Sequence, residues 1–334
     1  MKAKLMAMTT LFILLLVCYG CGTHKMQEVV VYTSVDEEYS RPIFQEFEKA
    51  QNIRVKPVYD VEATKSAGLA NRIIAEKANA QADVFWSGEC LRIIDLKKRG
   101  ILEAYRSPSA ADILAQFKDP QSFWTGFAGR VRVIIYNKDL VRPEDAPSSV
   151  YDFADSKFRG NIAMANPLFG TTTFHFISLF ITLGEKETID LFGKLKLNEV
   201  RIVDGNSVVR KLVETGEIEM GFTDSDDAEL SLSAGNNVGI IYPDQDSFGT
   251  PFMPNMVALI KNGPNPANGK LFIDYLLSKE ADQKLLSSKW TRLSVRDVFE
   301  QGKGQKIKVN IVNYEQASSM AQITLTKIKN IFNL

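Results

Sequence analysis

The sequence predicts two α/β lobes, each a mostly parallel sheet flanked by helices, and three observations predict them. Apolar strand-like runs alternate with segments of helical periodicity, the pattern that lays helices on the faces of a parallel sheet. The alternation occurs as two separate sets along the chain. The length of 334 residues suits roughly two domains at about 150 residues each, both large enough to bury a core.

In the first set, Glu28–Thr33 (EVVVYT), Ile53–Tyr59 and Asp83–Trp86 read as strands because they are rich in Val, Ile and aromatic residues. Between them, Ser40–Lys49 and Thr64–Lys77 carry apolar residues at helical spacing, and Pro42 fits a first helical turn, where its missing N–H costs nothing. In the second set, strands are expected at Val131–Tyr136, Asn161–Ala165, Val200–Val203, Ile218–Phe222 and Gly239–Tyr242. Helices are expected at Thr172–Leu183, Ser207–Glu214 and Ala228–Ser233.

Ahead of these elements, Lys2 and Lys4 precede an apolar run, Leu11 to Val17, that is too short to span a bilayer comfortably. Gly20-Cys21 then resembles a bacterial lipoprotein processing site, with Cys18 standing where a leucine is usual. Residues 1–20 are therefore expected to be a signal peptide, Cys21 a lipidated N-terminus and 21–27 a linker. The mature protein would be exported and held on a membrane surface by its acyl chains, two or more of which give stable anchoring. Of the 3 cysteines only Cys90 would remain, so no internal disulfide is expected.

Composition narrows the function. With 40 Lys+Arg against 40 Asp+Glu the chain has no basic excess, and a nucleic-acid partner is not expected. Cleavage would remove Lys2 and Lys4 and no acid, leaving a net charge of −2. A hydrophobic fraction of 45% excludes a disordered or collagenous chain. Only 2 His are present, His24 and His175, and no nucleophile elbow or P-loop occurs, which argues against catalysis. His175, between Phe174 and Phe176, reads as a satisfied core or rim residue. No resident cofactor is expected; a metal ion or an anion would enter only as ligand.

Ligands of open α/β sheets bind beyond the carboxyl ends of the strands, near helix N-termini. Four polar loops stand at such ends and, with a further helix start at Asn206, supply the candidates. Thr33 and Ser34 end the first strand, with Asp36, Glu37 and Glu38 following. Ser87, Gly88 and Glu89 end another, where Trp86 would form an apolar wall. Gly170, Thr171 and Thr172 open a helix whose first N–H groups and dipole favour an anion. Asn206 and Ser207 open a second helix, and Asp224, Asp226 and Asp227 a third, where acids are also ordinary capping chemistry. Threonines and a helix start opposite an acidic loop would suit a zwitterion, or a metal held with a bound anion.

These stretches carry a resemblance. VVVYTSVDEEYSRPIFQEFEK, YDVEATKSAGLANRIIAEKANAQADVFWSGE, FWTGFAGRVRVIIYNKDLV, NPLFGTTTFH and YPDQDSFGTPFMPNMVALI are similar to the extracellular solute-binding proteins of ABC importers, family 1, specifically their ferric-iron branch. The resemblance implies a type II periplasmic-binding-protein fold, with crossover strands at a hinge and a solute captured between the lobes. It also implies delivery to a membrane permease and its ATPase by a monomer. On that basis 28–126 plus 249–283 would form lobe 1 and 127–248 plus 284–334 lobe 2. One departure stands out. Iron-binding members of the branch carry adjacent tyrosines after the strand matching Ile218–Phe222, whereas here the stretch is Thr223-Asp224-Ser225-Asp226-Asp227. Iron is thus the alternative ligand, with carboxylates replacing phenolates, as a hard ferric ion permits. An exported hydrolase using these acids, and a sensory or adhesive lipoprotein, are competing readings.

Overall fold

The computed structural model describes residues 26–60, 67–298 and 307–334; the expected signal peptide, Cys21 and most of the linker lie outside them. In chain order the elements are β1 (Glu28–Thr33), α1 (Glu37–Gln51), β2 (Arg54–Tyr59), α2 (Ala67–Ala75), β3 (Val84–Ser87), α3 (Leu91–Lys98), β4 (Leu102–Glu103), β5 (Thr125–Asn137), α4 (Val150–Phe153) and β6 (Ile162–Ala165). There follow α5 (Gly170–Leu183), α6 (Glu185–Leu197), β7 (Arg201–Val203), α7 (Asn206–Glu214), β8 (Met220–Asp224), α8 (Ser225–Ser233) and β9 (Val238–Ile241). The chain closes with β10 (Thr250–Ile260), α9 (Pro266–Leu276), α10 (Lys279–Ser287), β11 (Val309–Asn310) and α11 (Tyr314–Phe332).

The main path of strands runs β2-β1-β3-β10-β5-β8-β6-β7. Within each half the pairing is parallel, β1 with β2 and β3, and β6 with β7 and β8. The two halves meet through the long antiparallel strands β5 and β10, which are the crossovers. Strand β5 changes partner in mid-course. Up to Val131 it pairs with β10, and from Arg132 onward with β8, joined by β9 at Ile134. At the changeover the Val131 N–H donates to Ser225 Oγ at 3.3 Å, so the ladder is bridged by a side chain.

One turn of chain earlier the strand is bulged. The register shifts between Pro254 and Asn255, Ala128 takes a φ of 32°, and Asn255 Nδ2 donates to the Ala128 carbonyl at 3.1 Å. Gly129 is required next to the bulge, because a Cβ there would stand 2.2 Å from the Phe252 ring.

Two buried clusters hold the halves. One gathers Val31, Phe85, Trp86, Phe127 and Trp290 and continues to Phe174 and Val209 across the crossover. The other centres on Phe153, Phe176, Phe192 and Phe222, with Phe176 and Phe192 stacked at 4.1 Å. The C-terminal helix α11 touches both halves: Tyr314 sits between Phe117, Trp124 and Phe174, Glu315 pairs with Lys97 at 3.0 Å, and Lys327 with Glu185 at 2.6 Å. The expected lobe boundary at 283/284 falls inside the continuous helix α10, and the one at 126/127 inside β5, five residues before its ladder changes partner. Among the described residues no helix is long and apolar enough to cross a membrane.

Candidate functional site

The carboxyl ends of β1, β3, β6, β7 and β8 surround a cleft of about 280 Å³. Ser34, Gly88, Gly170, Thr171, Thr172, Asn206, Ser207, Asp224, Asp226 and Asp227 all line it, so five segments distant in sequence do converge. Thr33 and Ser87 do not line it. Both are fully buried, and each accepts a hydrogen bond from the backbone two residues on, Val35 N at 3.1 Å and Glu89 N at 3.3 Å. They shape the loops that present their neighbours. Ser34 Oγ accepts from Gly88 N at 2.9 Å and ties the two loop ends together. Trp86 is no wall either: it is buried in the core, edge-on to Phe44 at 5.8 Å. The aromatic surface comes from Tyr39, stacked on Trp290, and from the half-exposed Phe169 at the mouth.

Asp224 occupies the helix-capping position of α8 yet makes no capping bond with its side chain. Its carboxylate turns to the cross-strand residue Arg132 instead. Arg132 is fully buried and donates from Nη1 to Asp224 Oδ1 at 2.5 Å, to Asn206 Oδ1 at 3.1 Å and to Thr171 Oγ1 at 3.3 Å. Thr171 Oγ1 donates to Asp224 Oδ2 at 2.7 Å, and Asn206 Nδ2 donates to the same oxygen at 3.1 Å. Burial alone would raise the Asp224 pKa, but Arg132, Arg130 and the Thr171 hydroxyl outweigh it and hold the carboxyl below its ordinary value. Thr171 and Asn206 are therefore committed within the protein, in one network with Arg132 and Asp224.

Above this layer Arg130 donates to Asp226 Oδ2 at 3.0 Å and to the Gly88 carbonyl at 2.9 Å, and lies 3.3 Å from Asp224 Oδ2. Its guanidinium carbon stands 5.6 Å from the Trp290 ring. Burial opposes the charge on Arg130, but Asp226 and Asp224 raise its pKa above the ordinary value. Asp227 accepts from Thr223 Oγ1 at 3.3 Å and lies 3.6 Å from Arg210 Nε. Burial, with Asp226 and Asp224 adding, pushes the Asp227 pKa up to about 8.

Gly170 opens α5 with a φ of 58°, a left-handed conformation that glycine adopts without strain. Two residues on, Thr172 is 1% exposed, lines the cleft, and its Oγ1 has no hydrogen-bond partner. A buried hydroxyl beside unpaired helix N–H groups is a site prepared for an anionic acceptor. His175 is in the core as expected but is not satisfied: neither ring nitrogen has a hydrogen-bond partner, and the ring lies edge-on to Phe222 at 5.0 Å. Burial first and Arg132 second push its pKa well below the ordinary value, so it stays neutral. Tyr242 is outside the cleft lining, and its OH accepts from Arg292 Nε at 3.0 Å.

Sequence reasoning missed Arg130, Arg132, Arg210 and Tyr39. The arginines of β5 did leave a signal, since they stand two apart and so face one side of an otherwise apolar strand.

The family described as bacterial extracellular solute-binding protein matches residues 32–283. The chain is 26% identical over 278 residues to iron uptake protein A1 of Synechocystis sp., covering 80% of this chain and 75% of that one. It is 25% identical over 261 residues to a putative 2-aminoethylphosphonate-binding periplasmic protein of Salmonella typhimurium, covering 76% and 74%. In fold it is similar to the periplasmic binding protein AfuA of Actinobacillus pleuropneumoniae, solved with exogenous fructose-6-phosphate, at a TM-score of 0.80 and 24% identity over 92% of this chain and 99% of that one. With a two-lobed sheet, crossover strands and a polar cleft at the strand ends, the chain belongs to the bacterial extracellular solute-binding proteins.

Proposed function

We propose that the cleft captures a small anionic organic solute, phosphorylated or zwitterionic, which this exported protein delivers to an ABC permease and its ATPase. The observation that carries the reading is the buried, unpartnered Thr172 hydroxyl at the N-terminus of α5, facing the cleft. The solute's anionic group would accept from Thr172 Oγ1 and the first N–H groups of α5, with Ser207 at the start of α7 nearby. Asp227, protonated near neutrality, offers a donor to a hydroxyl or, once ionised, a partner to an amino group. Ser34 and Tyr39 approach from the other half, so one solute touches both and favours the closed state by its higher affinity for it. The names of the Salmonella and Actinobacillus relatives support such a ligand. Anchoring through a lipidated Cys21, a monomeric state and binding without turnover belong to the same proposal.

The test is a thermal-shift and calorimetric panel of 2-aminoethylphosphonate, fructose 6-phosphate and inorganic phosphate. A true ligand adds about 2.7 kcal/mol at a hundredfold excess over Kd. Stabilisation by none of the organophosphorus probes, or conversion of any of them to product, would overturn the reading. A second reading, ferric iron, rests on the Asp224, Asp226 and Asp227 oxygens lying within 4.8 Å of one another and on the Synechocystis relative. Ferric citrate in the same panel tests it.

A further inference from the structure

We infer that Arg130 is a resident counter-cation of the aspartate cluster, and that it sets the charge selectivity of the cleft by excluding multivalent metal ions. The inference deepens the functional proposal and rests on its placing the ligand in this cleft. Three carboxylates with oxygens within 4.8 Å of one another would ordinarily draw a cation. In this protein a cation already stands there. The Arg130 guanidinium is held by oxygens from both sides of the cleft: the Gly88 carbonyl at 2.9 Å, Asp226 Oδ2 at 3.0 Å and Asp224 Oδ2 at 3.3 Å.

Arg130 has little room to leave. Its side chain is 11% exposed, it lies against Trp290, and its backbone is fixed one residue from the bulge-adjacent Gly129. Two of the remaining carboxylate oxygens face arginines as well, Asp224 Oδ1 meeting Arg132 at 2.5 Å and Asp227 Oδ1 meeting Arg210 at 3.6 Å. A metal ion entering the cluster would have to displace Arg130 from two carboxylates and then sit beside the displaced, still buried positive charge. Both costs fall on the metal, and neither falls on an anion bound at Thr172. A guanidinium is also weakly hydrated and directional, so it serves as a fixed internal cation where a lysine ammonium would not.

The experiment uses terbium(III), a hard trivalent ion whose luminescence is sensitised by nearby Trp290 and Tyr39, titrated into the mature protein. Wild type is expected to give no saturable signal at micromolar ion. Arg130→Met is expected to create a stoichiometric site, with affinity raised about 10-fold or more over any residual wild-type binding. Methylguanidinium added to Arg130→Met should suppress the signal by refilling the vacated place, an effect that loosened packing alone would not produce. Saturable wild-type binding that Asp226→Asn abolishes would overturn the inference whether or not Arg130→Met folds, as would a folded Arg130→Met that binds no terbium. Arg130→Gln supplies a second variant if the methionine change is too disruptive. The organophosphorus panel on wild type reads the functional proposal separately, so either can fail while the other stands.

Discussion

Arg132 and Asp224 are direct cross-strand partners on β5 and β8, buried together, and every side-chain hydrogen bond that Arg132 donates comes from one guanidinium nitrogen, Nη1. Arg132 Nε and Nη2 have no hydrogen-bond partner. The pair is thus a positioning device that holds Thr171 and Asn206 in place, and its geometry gives it little surplus stability.

From this follows an asymmetry between single and double replacement. Arg132→Met takes the nearer of two guanidinium partners from the buried Asp224, leaving Arg130 at 3.3 Å from Oδ2, and should cost roughly 3 kcal/mol in urea unfolding. Arg132→Met with Asp224→Asn should recover most of that loss, because no charge is left stranded. A double variant no more stable than Arg132→Met would show that the pair contributes through packing alone.

Asp227 gives a pH signature. Its folded pKa, about 8, lies above the ordinary carboxylate value, so between the two the folded state binds a proton that the unfolded state has lost. Stability from this residue therefore declines as pH rises from about 4 to 8 and then levels. Asp227→Asn keeps the neutral side chain and removes the decline. The difference in urea midpoint between Asp227→Asn and wild type should grow steadily in the variant's favour over that range; a constant difference would contradict the assignment.

Thr172 separates binding from folding. The ligand-free protein keeps an unsatisfied hydroxyl there, so Thr172→Val should be neutral or stabilise it by up to about 1 kcal/mol. The same change should weaken the proposed organophosphorus ligand by about 10- to 100-fold, the worth of a hydrogen bond to a charged group, while Thr172→Ser keeps most of the affinity. Calorimetry on the two variants checks both parts.

At the bulge, Asn255→Ala removes the donor to the Ala128 carbonyl and leaves that buried acceptor unpaired. A loss of roughly 1–3 kcal/mol is expected in denaturant unfolding. Gly129→Ala should be worse, since the added Cβ would stand 2.2 Å from the Phe252 ring in a strand already bent. If Gly129→Ala proved the milder of the two, Phe252 would have to swing aside, which a crystal structure of the variant would show.

Much of this architecture was legible in the sequence, because the strands that build the cleft are short, apolar and followed at once by polar loops. Gly170, Asn206 and the 224–227 loop each announce a helix start, and helix starts at strand ends are where such folds bind solute. Helix starts moved outward by two or three residues at Glu37, Gly170 and Ser225, since caps that read as loop already take helical geometry. What stayed hidden depends on long-range pairing. Nothing local distinguishes Thr33 from Ser34, although the period of the strand end turns one inward and the other toward the cleft. Asp224 looked like a cap because capping is a local property, whereas its true partner lies 92 residues away. Arg130 and Arg132 were overlooked because charged residues in an apolar strand read as an exposed face, and only the fold shows that this face is enclosed.

The partner exchange of β5 at Val131 has a further consequence. Arg130, which lines the cleft, and Arg132, buried beneath it, flank the point where one continuous strand passes from one half of the molecule to the other. Recognition and hinge bending are therefore loaded onto the same few peptide units. If the proposed closure bends the chain at this strand, a substitution chosen to retune the cleft at Arg130 would also alter the fraction of molecules in the capture-competent shape, with which apparent affinity scales. In this protein selectivity and mechanics share a single strand, and must have been shaped together.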